Sequence, residues 1–474
     1  MQRIRWSSGG WRVALAVLFA GALAQTGLVG QETRLHPHRI AVFGSSVANG
    51  RGDETAHDGY TGQLRMAMAQ RGWEVLNQSR GGDSTKTIQP RFTPNGALDP
   101  KIRYLTTVNP SYVVIGLAFG NEGLYEAKTK AEKDTVYDGY LRNMKGLVER
   151  ARQAGIVPLV ALGYTRDVYT PEDYEYVRRA NIEQSTWDVP TVNFLGAIDD
   201  GSGHWALGWD DKHPQASGHR EMFYAFVPTV FEALEKGKPA PVKATGTAFA
   251  RVAAGTAPLA FAPAETMHPF ALSVTVRAQD NGTIAAVGGS TLQVRTETRK
   301  NEGNDMLAKT LVADQPFNAT LQVRNGKWSY RSAAGAYVDS TVAADGQWHQ
   351  IVLSHFTARG ETLFFVDGRL AGKASERLEP QRFVIGGPGG AGAPGGPKVA
   401  DYKELFIHRA ALNADEVSAM HQGRMLKASL EIYAPLTDAD FKAGSTIENR
   451  AQSLTALKVG TDRMTRMDDS TSTR

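Results

Sequence analysis

Two textures of hydrophobic patterning divide the chain. Between Arg39 and Lys236, short apolar runs alternate with longer amphipathic stretches. The runs Arg39–Phe43, Trp73–Leu76, Tyr112–Leu117, Ile156–Leu162 and Thr191–Leu195 predict strands. Helical spacing over Gly59–Arg71, Val136–Ala154, Pro171–Gln184 and Ala216–Lys236 predicts the helices between and after them. Strands joined by helices of this length imply right-handed βαβ units, hence a parallel sheet covered on both faces. Beyond Lys243 the pattern changes to short β-rich runs: Phe270–Val276, Thr291–Val294, Thr320–Val323, His349–Ser354 and Thr362–Val366. Turn pairs at Asn281-Gly282, Asn325-Gly326, Asp345-Gly346 and Asp367-Gly368 separate them, as in an antiparallel sandwich.

The first texture thus predicts a flavodoxin-like three-layer α/β/α sandwich and the second an all-β jelly-roll sandwich. The expected boundaries are residues 31–238 and 245–460, with a proline-containing linker over 239–244 just after Gly237 and a polar tail over 461–474. Residues 1–30 have a different character. Arg3, Arg5 and Arg12 precede the apolar run Val13–Ala24, and cleavage is expected after Ala24 or Gly30. That run is too short to span a bilayer, so it predicts a removable signal peptide, a secreted or periplasmic protein and no stable membrane insertion. Over 474 residues the net charge is +4 and forms no basic block, which argues against nucleic-acid binding. The chain has no cysteine, which excludes disulfides, thiolate catalysis and cysteine lipidation.

In an open parallel sheet, ligands bind at the carboxyl ends of the strands. Four segments there carry chemistry: Gly44-Ser45-Ser46 after the first strand, Asn77–Thr85 after the second, Phe119–Gly123 after the third, and Asp210–His213 before the last helix. Taken singly, Ser46 reads as a turn residue or cap, Gly82 as a turn glycine, Asn121 as a loop side chain, and Asp210 and His213 as a cap and a surface group. Together they supply a nucleophile, two oxyanion donors and an acid–base pair in chain order. Ser45 rivals Ser46 as nucleophile on the residues alone. His204, beside Asp199 and Asp200, has no second histidine at ligand spacing, so no metal is expected. His219 reads as a cap or surface group at the start of the last helix. Trp205, Trp209 and Tyr164 could form a sugar platform or simply pack the loop. No phosphate loop or dinucleotide fingerprint is present, and no cofactor is expected.

These blocks resemble those of the SGNH/GDSL hydrolases over roughly residues 39–235. Val42-Phe43-Gly44-Ser45-Ser46 resembles the family's Gly-Asp-Ser block and puts Ser46 at the nucleophile position. Gly82 matches the oxyanion glycine, Asn121 the oxyanion asparagine, and Asp210-x-x-His213 the block that completes the triad. The chain departs from the family pattern at Ser45, Phe119 and Glu122, where aspartate, glycine and aspartate are usual. The resemblance implies a serine esterase with catalytic Ser46, Asp210 and His213, and an oxyanion hole of Ser46, Gly82 and Asn121. Residues 244–460 resemble laminin-G-like, concanavalin-type jelly rolls, carried by Asp345–Leu353, Thr362–Arg369, Asp401–Ile407 and Leu412–Val417. Such domains often bind carbohydrate, which would suit an exported esterase or deacetylase acting on an acylated carbohydrate; a structural role, packing on the hydrolase or forming an oligomer, is the equal alternative. Lipase-like or thioesterase activity and an inactive glycan-binding protein are the alternatives. Trp348 is expected to anchor the sandwich core. Oligomerisation, acyl and sugar specificity, and calcium binding by the jelly roll stay open.

Overall fold

The computed structural model describes residues 35–459 apart from 209, 211, 247, 254–257, 302–303, 387–394, 397–398 and 437–445. The predicted signal segment, the polar tail, Trp209 and Asp211 lie outside the described residues.

The first half forms a parallel sheet of β1 (His36–Gly44), β2 (Glu74–Asn77), β3 (Pro110–Gly116), β4 (Val157–Ala161) and β5 (Thr191–Val192), in the order β2-β1-β3-β4-β5. Its strands read as unbroken apolar runs because both faces are covered. Ile40, Val42 and Val114 face one core with α1 (Gly59–Ala69). Ala41, Phe43, Val113 and Ile115 face the other, against α2 (Lys130–Gln153) and α3 (Pro171–Ser185). Capping boxes set the starts of these last two helices, from Thr129 with Glu132 and from Thr170 with Asp173.

Two expectations change here. The fifth strand stops at Val192, because Asn193 accepts from the Gly196 N–H and caps a short α4 (Phe194–Ile198). The single closing helix is two, α5 (Ala216–Tyr224) and α6 (Val230–Glu235), parted at Pro228, whose ring cannot continue a helix.

The second half is built from two antiparallel sheets. One comprises β7 (Leu259–Phe261), β9 (Gly282–Asn301), β10 (Asn304–Arg324), β11 (Lys327–Arg331), β12 (Tyr337–Ala343), β16 (Leu378–Ile385), β19 (Thr446–Ile447) and β20 (Leu457–Val459). The other comprises β6 (Ala250–Ala253), β8 (Phe270–Ala278), β13 (His349–Phe356), β14 (Glu361–Val366), β15 (Arg369–Ser375), β17 (Val399–His408) and β18 (Leu430–Pro435). Alternate residues of β8 (Leu272, Val274, Val276) meet Val287, Leu321 and Phe383 of the facing sheet in one shared core. Asn325-Gly326 and Asp367-Gly368 take positive φ at both positions, as two-residue hairpins require. Trp328, fully buried, anchors this core. Trp348, which the sequence puts there, instead lies half-buried against Phe249 with Arg277 over its ring, because it precedes β13 rather than sitting within a strand. α7 (Ala414–His421) packs beside α3, where Arg178 and Asp415 form an ion pair at 2.6 Å.

Candidate active site

Three of the four chemistry-bearing segments leave the carboxyl ends of β2, β1 and β3, neighbours in the sheet. Between β1 and β3 the strand order reverses, and there a crevice opens. The chain turns sharply after β1: the Ser45 N–H donates to Gly116 O at 3.2 Å, and the Arg51 N–H donates back to Ser46 O at 3.0 Å. Ser45 is 2% exposed and turned into the protein, whereas Ser46 lines the cleft. The Ser46 hydroxyl donates to His213 Nε2 at 3.0 Å. His213 Nδ1 lies 3.0 Å from both oxygens of Asp210. A local turn holds this pair, since Asp210 Oδ1 also accepts the N–H groups of Lys212 and His213, each at 2.7 Å.

The electrostatics suit a neutral imidazole. Burial lowers the pKa of His213; Asp210 pulls it up, while Arg166 and Arg51 push it down, and it ends below the ordinary value. For Asp210 burial raises the pKa, but hydrogen bonds from the His213 ring and the Lys212 amide outweigh this and keep it ionised.

Opposite the serine stand Gly82 and Asn121. Gly82 takes φ 82°, and nothing would meet a side chain there, so its backbone lies open to the cleft. Among the described residues, the N–H groups of Ser46 and Gly82 donate to no other group. The Asn121 amide spends one N–H on Asp83 O at 2.9 Å, leaving the other available. Asp83 is buried under paired Arg91 and Arg80 and pins this loop. Glu122, unusual for the resembled family, accepts from the N–H and hydroxyl of Thr85 and so ties the asparagine loop to the glycine loop. Phe119 points away from the cleft and packs on Tyr140 at 4.2 Å.

Other expectations resolve differently. His219 is 1% exposed: its ring accepts from the Tyr60 N–H and donates to Arg51 O at 2.9 Å, joining α5 to the loop after Ser46. Burial drives its pKa to about 4, so it is a neutral strut, neither cap nor surface group. Tyr164 and Trp205 pack together inside the protein, rings 5.5 Å apart, and offer no platform. His204 faces Asp167 at 3.4 Å. Sequence reasoning missed Arg166, which lines the cleft of about 460 Å³ with Arg51, Lys212 and Asn49. Its position on the loop after β4 was the available signal.

Residues 42–221 match the family described as GDSL-like Lipase/Acylhydrolase. This part of the chain is a GDSL-like acylhydrolase domain, and its family hydrolyses ester bonds. No curated protein matches. Similar solved structures include a putative acylhydrolase from Bacteroides fragilis, 14% identical, covering 44% of this chain and 93% of its own, with TM-score 0.33. A catalytic mutant of an acetylxylan esterase from Geobacillus stearothermophilus is 15% identical, with coverage of 40% and 91% and TM-score 0.30. A pentraxin from Limulus polyphemus is 14% identical, with coverage of 38% and 84% and TM-score 0.26. No helix among the described residues of the chain is long and apolar enough to cross a membrane.

Proposed function

We propose that the acylhydrolase is an exported serine esterase that removes acetyl or similarly short acyl groups from a carbohydrate, with Ser46, His213 and Asp210 as its triad. In this reading residues 31–238 and 245–460 are separate domains, the second a carbohydrate-binding jelly roll. The observation that carries the catalytic part is the relay itself: serine hydroxyl on Nε2 at 3.0 Å and carboxylate on Nδ1 at 3.0 Å. His213 takes the Ser46 proton as Oγ attacks the ester carbon, and Asp210 steadies the imidazolium that forms. The N–H groups of Ser46 and Gly82 and the free N–H of Asn121 receive the oxyanion. His213 then protonates the departing alcohol, and water repeats the sequence on the acyl-enzyme.

A short acyl group fits because the described residues lining the cleft include no large apolar side chain. A fatty acyl chain would gain about 0.8 kcal/mol per buried methylene, and none of these side chains offers it a surface on which to gain it. This separates the reading from a lipase-like enzyme, and the unspent donors separate it from an inactive binding protein.

The test is acetate release from p-nitrophenyl acetate and from acetylated oligosaccharides by wild type, Ser46→Ala and Ser45→Ala. Only Ser46→Ala should abolish turnover. Full activity in Ser46→Ala, or an inert wild type, would overturn the proposal.

A further inference from the structure

Ester hydrolysis through a serine triad requires no fixed positive charge in the cleft. Yet the described residues lining this cleft include Arg51, Arg166 and Lys212 and no carboxylate. Arg166 is the most informative of them. Four arginines and lysines are buried among the described residues: Arg91, Lys133, Arg166 and Arg409. Arg91 has Asp83, Lys133 has Glu172 and Asp173, and Arg409 has Glu431. Arg166, 3% exposed, has no carboxylate partner among the described residues. Its Nη1 donates to Gly120 O at 3.1 Å, and its Nε has no partner. A buried guanidinium without a counter-charge is costly, and an anion entering the cleft would relieve that cost through arginine's planar set of donors. The chain makes room for it: a Cβ at Gly120, beside Asn121, would come within 1.9 Å of the Arg166 Cζ and push the guanidinium aside.

We propose that Arg166, Lys212 and Arg51 form an anion-recognition subsite, and that the natural substrate is an acyl ester of an acidic saccharide bearing carboxylate or sulfate near the scissile bond. This rests on the esterase reading above and specifies its substrate. The anion belongs on the alcohol side, because Lys212 adjoins His213, which hands its proton to the leaving oxygen. Beyond Asn49 and Gly81 a second hollow, of about 220 Å³, continues the positive track with Arg80, Arg91, Lys101 and Arg103. Arg80 and Arg91 are committed to Asp83, but Arg103 is held by Asn49 Oδ1 and the carbonyls of Asn77 and Ser79. A polymer with recurring negative charges matches both hollows.

The full chain is assayed on three acetyl esters: 4-acetoxybenzoate, 4-acetoxybenzenesulfonate and the neutral methyl 4-acetoxybenzoate. Each rate is divided by that ester's own alkaline hydrolysis rate. The expected result is a preference in kcat/KM of on the order of tenfold or more for a charged ester, shrinking as salt rises. Preference for the carboxylate points to a uronate, and preference for the sulfonate to a sulfated sugar. Lys212→Gln should lower the ratio, and Arg166→Gln should bring it near one, with Arg166→Lys restoring part of it. Arg166→Gln should also move the acidic limb of the pH profile upward, which loss of packing alone would not do. If Arg166→Gln fails to fold, the ratio in Lys212→Gln decides. A ratio near one in wild type, unchanged in Lys212→Gln, overturns the subsite while leaving the esterase standing. Hydrolysis of none of the three esters overturns the esterase reading itself.

Discussion

The active-site cleft and the seam between the α/β half and the β-sandwich treat buried charge in opposite ways. In the cleft, His213 has one carboxylate behind it and cations in front, and its pKa falls below the ordinary imidazole value. In the seam, His268 lies between Glu221 of α5 at 2.8 Å and Glu379 of β16 at 3.8 Å, with the Tyr224 ring against it. Burial would lower its pKa too, but the two glutamates outweigh burial and push it up to about 9. The same side chain is thus kept neutral where the proposed mechanism has it accept a proton and charged where it lies between two glutamates in the seam. Arg409 shows the same habit in the seam: it pairs with Glu431 at 2.8 Å and donates to Tyr224 O at 2.9 Å and to Thr266 O. The seam compensates its charges internally, whereas in the cleft Arg166 has no carboxylate partner among the described residues.

Breaking the cleft should destroy activity and spare the fold. Ser46→Ala or His213→Ala should cost on the order of 10⁶ in kcat, and the double variant no more than either alone, because the pair acts as a unit. Asn121→Ala, which removes one oxyanion donor, should cost about 10²–10³. Circular dichroism and thermal midpoints should stay close to wild type for all of these. An additive double variant would mean that the two side chains do not act together.

Breaking the seam should do the reverse. Glu431 is 1% exposed and accepts from Arg409 and from the Thr455 hydroxyl. Glu431→Gln leaves a buried guanidinium without its counter-charge, a loss of about 3–5 kcal/mol measurable by urea unfolding. If stability is unchanged, the seam does not depend on this pair.

The pH dependence of stability sharpens the contrast further. His268 has a folded pKa of about 9, above its unfolded value, so its contribution is complete below about pH 6.5 and is lost as pH rises through 9. The loss is about 3 kcal/mol at most. His355, also buried nearby, is driven to about 3 and stays neutral across this window. Urea midpoints between pH 6 and 9.5 should fall in wild type and flatten in His268→Gln. Equal slopes would place the sensitivity elsewhere.

How much of this could be read from sequence follows the range of the interactions. β1, β3 and β4 were legible because strands buried on both faces are apolar throughout, and the four loops were legible because chemistry collects at strand ends. Misreadings came where a neighbour distant in sequence decides. His219 looks like a polar helix-start residue until Tyr60 and Arg51 close around it. Trp328 and Trp348 both follow turn signals, and only the facing sheet selects Trp328 for the core. The far half of β9 and β10, Thr296–Asn301 with Asn304–Lys309, carries no apolar run and predicts no strand, yet the two strands pair along it. Arg166 has no motif at all; its meaning lies in the missing acid.

That long hairpin also supplies the finest probe of how cleft and seam connect. The β10 strand reaches the loop behind His213, where the Lys309 N–H donates to Gln215 Oε1 at 2.7 Å. Gln215 is buried, and its Nε2 donates to Gly208 O at 2.8 Å, bracing the segment that carries Asp210 and His213. Nearby, Arg299 of β9 approaches Glu54 at 3.8 Å, while Glu54 Oε2 accepts from the Ala216 N–H at the start of α5. Gln215→Ala leaves a part-buried donor, the Lys309 N–H, and a part-buried acceptor, Gly208 O, without their partner, so it should cost about 1 kcal/mol or more and slow turnover several-fold. Arg299→Ala removes only a half-exposed partner at long range, and its cost should stay within about 1 kcal/mol and vanish at high salt. Urea midpoints and kcat/KM measured on both variants separate the two contributions. If Arg299→Ala costs as much as Gln215→Ala, the hairpin is held by charge, and the sandwich grips the cleft as it grips the seam. If it does not, a single backbone bond carries the connection, and the two regions differ even where they touch.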